Sequence, residues 1–170
     1  MVNIFCSPAQ EALCFQAKQS PHHKNTVAVV LSNHQLQVWD CRLGQVSLVL
    51  FHGCDVTTLE WHLGDENLIM TGAADGLLRL WDLRKPQTPL KRFIGNLMAI
   101  RKVVSCKFHY ETFLSCSYDK TIRCWNLNNE KCHRKLEHHT EFVYGLDTSP
   151  KLSRMAVDCS WDSQIKLFTY

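Results

Sequence analysis

A chain of 170 residues that is 45% hydrophobic and 21% charged has the composition of an ordinary globular protein, long enough for one cored domain or for part of a larger one. Its formal charge of +3, with no run of Lys and Arg, argues against nucleic acid and anionic membrane as partners. The longest apolar stretches, Val27 to Leu31 and Val46 to Phe51, are strand-sized and too short to span a bilayer, so direct membrane insertion is not expected.

The elements, taken in chain order, all read as strands. Val27 to Leu31, Leu36 to Asp40 and Val46 to Phe51 come first. Val56 to Trp61, Leu68 to Ala73, Leu78 to Asp82 and Leu90 to Ile94 follow. Next are Val103 to Phe108, Phe113 to Ser117, Ile122 to Asn126 and Cys132 to Leu136, and finally Val143 to Asp147 and Ile165 to Thr169. Within them apolar and polar residues alternate with a period of two: Leu78 and Leu80 against Arg79 and Trp81, Ile122 and Cys124 against Arg123 and Trp125. No stretch holds apolar spacings of three and four over three turns, so almost no helix is expected.

These strands repeat in sets. The aromatic residues Trp39, Trp81, Trp125 and Phe168 stand 42, 44 and 43 residues apart. Six residues before each lies a turn former, Asn33, Asp75, Asp119 and Asp162, with the same spacings. Four short antiparallel strands every forty-odd residues fit one propeller blade each. The expected fold is an all-β, WD-repeat β-propeller of about four blades, partial or open, forming a single domain over 1–170 with blades at about 10–53, 54–97, 98–140 and 141–170.

The landmarks have a mechanical purpose in a WD blade. A loop His, a Ser or Thr on the second strand, the turn Asp and the Trp form a buried hydrogen-bonded chain. The second blade has the whole set in His52, Thr71, Asp75 and Trp81. The third has Ser115, Asp119 and Trp125, with Asn96 in the His place. The fourth has His138 and Asp162, with Asp158 for the Ser/Thr and Phe168 for the Trp. The first has Val29 and Asn33 beside Trp39, and is expected to be the loosest.

The remaining polar residues point to binding rather than catalysis. Nine cysteines fall mostly inside strand patterns, and the N-terminus lacks the charged start and apolar core of a secretory signal, so reduced, buried thiols are expected. No closing Ser-Lys-Leu address is present. Cys132-His133 with His138-His139 matches no zinc-finger spacing, so no metal or other cofactor is expected. No Gly-x-Ser-x-Gly turn, phosphate-cradling loop or His-Glu-x-x-His occurs, so no enzyme is expected. Loops leading into each blade and those joining its second and third strands share the upper face. Glu11, Asp55 and Glu141 lie on the former, while Ala99 and Arg101 mark that place in blade three. With Tyr118, Asp75, Trp161 and Asp162 this face is expected to be partly acidic with aromatic anchors, suited to a basic, partly apolar peptide.

Beyond the landmarks, several strings are distinctive: Ala99-Ile100-Arg101, Ser115 to Asp119, and above all Glu137-His138-His139-Thr140-Glu141-Phe142, Gly145-Leu146-Asp147 and Asp158-Cys159-Ser160-Trp161-Asp162, which are not part of a generic WD repeat. From about residue 54 to 168 the chain resembles the family of peroxisomal targeting signal 2 receptors, for whose last blade Asp158 and the absent final Trp are normal. The resemblance implies a receptor shuttling between cytosol and peroxisome matrix. Its partners are cargo proteins bearing a type-2 peroxisomal targeting signal, an import co-receptor and peroxisomal docking proteins. It implies Asp55, Tyr118, Glu141 and Trp161 as peptide-binding candidates. The family ring has seven blades and this chain resembles the last four, so exposed end faces are expected. Val2-Asn3-Ile4-Phe5 would supply a missing fourth strand only if the ring closed. The competing expectations are a WD scaffold of a chromatin or ubiquitin-ligase complex, and a propeller-fold enzyme.

Overall fold

The computed structural model describes residues 12–170, and within them fifteen strands form four antiparallel sheets without any helix. The first sheet runs β1 (Cys14–Gln19), β2 (Thr26–Leu31), β3 (Gln35–Asp40) and β4 (Gln45–Phe51), each strand beside the next. The second follows the same order with β5 (Val56–Trp61), β6 (Leu68–Ala73), β7 (Leu78–Asp82) and β8 (Lys91–Phe93). The third has β9 (Ile100–Ser105), β10 (Thr112–Ser117), β11 (Ile122–Asn126) and β12 (Cys132–Leu136). The last has three strands, β13 (Val143–Thr148), β14 (Met155–Ser160) and β15 (Ile165–Thr169). These are the blades of a WD-type propeller. The first strands of successive sheets, β1, β5, β9 and β13, neighbour one another along an inner edge. The expected roles of Val2 to Phe5 and of Glu11 fall outside the described residues.

Of the expected strands β9 departs most from its bounds, and β1 and β14 were not among them. β9 starts at Ile100 rather than Val103 and stops at Ser105. Ile100 is fully buried against Gly72, where an added Cβ would stand 2.6 Å from the Ile100 Cγ2. At the far end Cys106 N–H donates to the Thr112 carbonyl and His109 N–H to that of Cys106, which turns Lys107 and Phe108 out of the strand.

Alternation along the strands builds three apolar layers between the sheets. Ala28, Val30, Leu36 and Val38 of the first sheet meet Leu59, Ile69 and Trp81 of the second. Met70, Leu78, Leu80 and Phe93 then meet Val103, Phe113 and Trp125. Leu114, Cys116, Ile122 and Cys124 meet Leu146 and Ala156, with Phe168 half-covered beside them. Each fully buried Leu or Ile contributes about 1.5–3 kcal/mol relative to exposure. The outer face of the last sheet carries Ile165 and Leu167, 75% and 73% exposed. Their repeat equivalents Leu36 and Val38, Leu78 and Leu80, Ile122 and Cys124 are all buried. The eight cysteines among the described residues are free thiols. No helix of the described residues is long and apolar enough to cross a membrane.

Candidate functional site

The buried polar links between strands come first, because they hold the loops. The Trp81 indole N–H donates to Thr71 Oγ1 at 3.0 Å, and the Trp125 indole N–H to Ser115 Oγ at 2.9 Å. In the first sheet the Trp39 N–H turns to Gln37 Oε1 instead, at 3.1 Å. The second sheet differs from expectation at its other end. His52 lies against the Trp81 ring with centroids 4.6 Å apart, but neither ring nitrogen has a hydrogen-bond partner among the described residues. Asp75 is held by Arg79 at 2.5 and 3.2 Å and by the Leu77 N–H, so His52 and Asp75 are not joined. Burial, reinforced by the Arg79 charge, pushes the His52 imidazole down to about 3.

Asp119 ties the third sheet together without a histidine. It accepts the Leu97 N–H at 3.0 Å and the Thr121 N–H at 3.0 Å, with Arg123 at 3.4 Å. In the fourth sheet His139, not His138, links the loop to the turn. His139 is fully buried, with Nδ1 2.7 Å from Asp162 Oδ2 and Nε2 2.8 Å from Asp158 Oδ1. His138 joins the same carboxylate through Nε2, 2.6 Å from Asp158 Oδ2. With Phe168 offering no N–H, Asp158 takes its partners from the two imidazoles. Asp162 also accepts the Thr140 N–H at 3.1 Å and the Gln164 N–H at 3.0 Å. Burial raises the Asp162 carboxyl, but the His139 bond and these two N–H groups outweigh it and hold it at about 2.

Backbone bonds bring the upper-face loops into one surface. Ala74 N–H donates to the Asp55 carbonyl, Tyr118 N–H to Ala99 and Trp161 N–H to Phe142. Among the described residues the acids at Asp55 and Glu141 have side-chain partners. Asp55 meets His34 at 3.0 Å and Glu141 meets Lys120 at 3.7 Å, both pairs about half exposed. Such exposed pairs are worth little and exchange readily with a charged ligand.

The inner rim has a repeating device. Each pairing of a sheet's first two strands carries a β-bulge, and the residues skipped are Phe15, Thr57, Arg101 and Tyr144. They stand at equivalent positions of the repeat, 42, 44 and 43 residues apart. An extra residue in a strand re-aims a side chain, here toward the shared inner rim. Phe15, Thr57, Arg101 and Tyr144 line one groove there, with a volume of about 270 Å³. The Arg101 guanidinium lies over the Tyr144 ring at 4.2 Å, and its Nε is buried without a partner among the described residues.

From this rim a row of aromatics crosses the upper face. Tyr144 stacks with Trp161 at 6.2 Å, Trp161 meets Phe142 at 5.4 Å, and Phe142 meets Tyr118 at 5.0 Å. Trp161 is 62% exposed. Of the peptide-binding candidates the structure thus joins Tyr118 and Trp161 in one row, sets Glu141 beside it on the same loop as Phe142, and leaves Asp55 apart, on the loop entering the second sheet. Phe142, Tyr144 and Arg101 belong to the row and were not among those candidates. The matched spacing of the bulge positions was the signal for the last two.

Comparison with known proteins agrees with this architecture. The model of the WD domain, G-beta repeat, matches residues 44–82, 87–126 and 130–169. The mouse peroxisomal targeting signal 2 receptor is 41% identical over 86 residues, 50% of this chain and 27% of that protein. The receptor of the same name from Saccharomyces cerevisiae is 27% identical over 174 residues, 79% of this chain and 46% of that protein. A ribosome biogenesis protein WDR12 homolog from Arabidopsis thaliana is 32% identical over 120 residues, 68% of this chain and 27% of that protein. The chain spans less than half the length of each of these relatives. With three repeat matches covering more than half of its residues, the chain belongs to the WD-repeat family.

Proposed function

We propose that this chain is a peptide-binding WD-repeat receptor, or part of one, that takes the N-terminal type-2 peroxisomal targeting signal of cargo proteins on its upper face. The observation that carries this reading is the row Tyr118, Phe142, Trp161 and Tyr144. Trp161 and Tyr144 are exposed and Tyr118 and Phe142 half-buried beside them, and clustered aromatics of this kind anchor partners on protein-binding surfaces. A short amphipathic helix would lay its leucines on this row and exchange its basic residues into the exposed pairs at Glu141 and Asp55. The identity to the mouse receptor supports the choice of ligand. On this reading the protein binds and does not catalyse. It moves between cytosol and peroxisome matrix, and a co-receptor covers the bound signal and brings it to docking proteins.

The test is fluorescence anisotropy of a labelled type-2 signal peptide, with and without co-receptor. Saturable binding is expected, lost on Trp161→Ala and weakened by Asp55→Lys with Glu141→Lys. The second reading, a scaffold of a different assembly, draws on the similarity to the Arabidopsis WDR12 homolog. A folded chain that ignores the peptide while a full-length receptor binds it would favour that reading.

A further inference from the structure

We propose that His138, His139 and Asp158 form a binding site for a divalent transition-metal ion, zinc in the first place, independent of any cargo. Position 158 is where the second and third sheets have Thr71 and Ser115, whose hydroxyls accept an indole N–H. The fourth sheet has no such donor and gathers two imidazoles around a carboxylate instead. One nitrogen from each ring and an Asp158 oxygen lie within 4.8 Å of one another.

Counting hydrogens identifies what the cluster lacks. A carboxylate only accepts, and a neutral imidazole carries one N–H. If His139 gives its Nδ1–H to Asp162, its Nε2 lone pair faces Asp158 Oδ1 at 2.8 Å. Two acceptors at that distance are joined either by a proton or by a cation between them. His138 presents Nε2 to the other oxygen at 2.6 Å. One dication between the two nitrogens and Asp158 would satisfy these contacts. It would also offset two carboxylates whose side chains are 0% and 6% exposed. The Lys166 ammonium, on the strand position paired with Asp158, donates to the His138 carbonyl.

The surroundings have the form of a metal site. A ligating His usually gives its other N–H to a carboxylate, and Asp162 stands in that place for His139. His138 is 26% exposed, which leaves a coordination position open to solvent. Phe168, 5.6 Å from the His138 ring, supplies apolar cover. Two imidazoles and a carboxylate suit zinc and its neighbours rather than calcium or magnesium. Bonds of about 2.1 Å in tetrahedral array put donors roughly 3.4 Å apart, so an ion would spread the 2.8 and 2.6 Å contacts by about 0.6–0.8 Å. His138 is on the β12–β13 loop and is the more exposed of the two imidazoles, so the adjustment would fall on it. Cys132, whose Sγ meets the Arg134 carbonyl, is not part of the group. The bound ion would clip residues 137–142, which carry Phe142, onto β14.

Cobalt(II) titration of the whole chain, followed by visible absorption and back-titration with zinc, tests this. One ion per chain is expected, with ligand-field bands, no thiolate charge-transfer band and displacement by zinc. At a temperature where circular dichroism shows each chain folded, His138→Gln should weaken cobalt by about a hundredfold or more, while Asp162→Asn weakens it about ten- to hundredfold. No saturable spectrum means that protons alone hold the cluster, and the proposal fails. A thiolate band, which places the metal on cysteines, or equal binding by His138→Gln, which places it elsewhere, overturns it too.

Discussion

Replacing Trp81 and Thr71 separately and together tests whether the indole–hydroxyl link holds the second sheet. The bond is 3.0 Å long between groups 2% and 0% exposed, with Trp81 packed into the layer between the first and second sheets. Trp81→Phe removes a hydrogen bond worth about 1 kcal/mol and leaves a small cavity worth about 1–2 more. Thr71→Val strands a buried N–H, at about 1–3 kcal/mol. In the double variant neither group is left unpaired. Its cost should therefore fall below the sum of the singles by about 1–2 kcal/mol. Equilibrium urea unfolding by circular dichroism measures all four corners, with the m-value checking that cooperativity is unchanged. Single costs that add within about 0.5 kcal/mol would refute the claim that the link stabilises the sheet.

Gly72→Ala should cost about 1–3 kcal/mol, because its Cβ would lie 2.6 Å from Ile100 and 2.8 Å from Thr58, both buried; the urea midpoint reads this. His52 is held at about 3 by burial and then by Arg79, so it stays neutral in the fold while the unfolded chain takes up a proton below about 6.5. The stability it contributes is present above pH 6.5 and lost as pH falls toward 3. His52→Phe should flatten that loss, measured as the change in urea midpoint between pH 7 and pH 4.5. Asp162, held at about 2 from 3.8, contributes stability that is present above pH 3.8 and lost as pH falls toward 2. Asp162→Asn should remove that acid limb from a melting-temperature profile.

Strand order was legible in the sequence because the layers demand it. β5, β6 and β12 occupy the residues that the forty-odd-residue repeat marked, although β5 and β6 are buried on both faces and do not alternate. β9 was displaced because its first residues, Ile100 to Lys102, bulge against Ser117 and break the period of two. The Trp–hydroxyl links were readable from fixed spacing within one sheet. The histidine links were not, since they depend on how a loop folds. Nothing in His138-His139 says which ring turns inward, and nothing in His52 says that Arg79 takes Asp75 away from it. The aromatic row was half visible for the same reason. Tyr118 and Trp161 sit at turn positions the repeat marks, whereas Phe142 and Tyr144 join them through cross-strand placement.

The proposal that the upper face is the docking surface is tested most directly by hydrogen–deuterium exchange of the chain with and without a type-2 signal peptide at saturating concentration. Slower exchange is predicted in residues 97–101, 118–121, 137–144 and 160–164, with the far ends of the same strands unchanged. Protection confined to the opposite loops, such as 62–67 and 149–154, or no protection in a chain shown to bind the peptide, would contradict it.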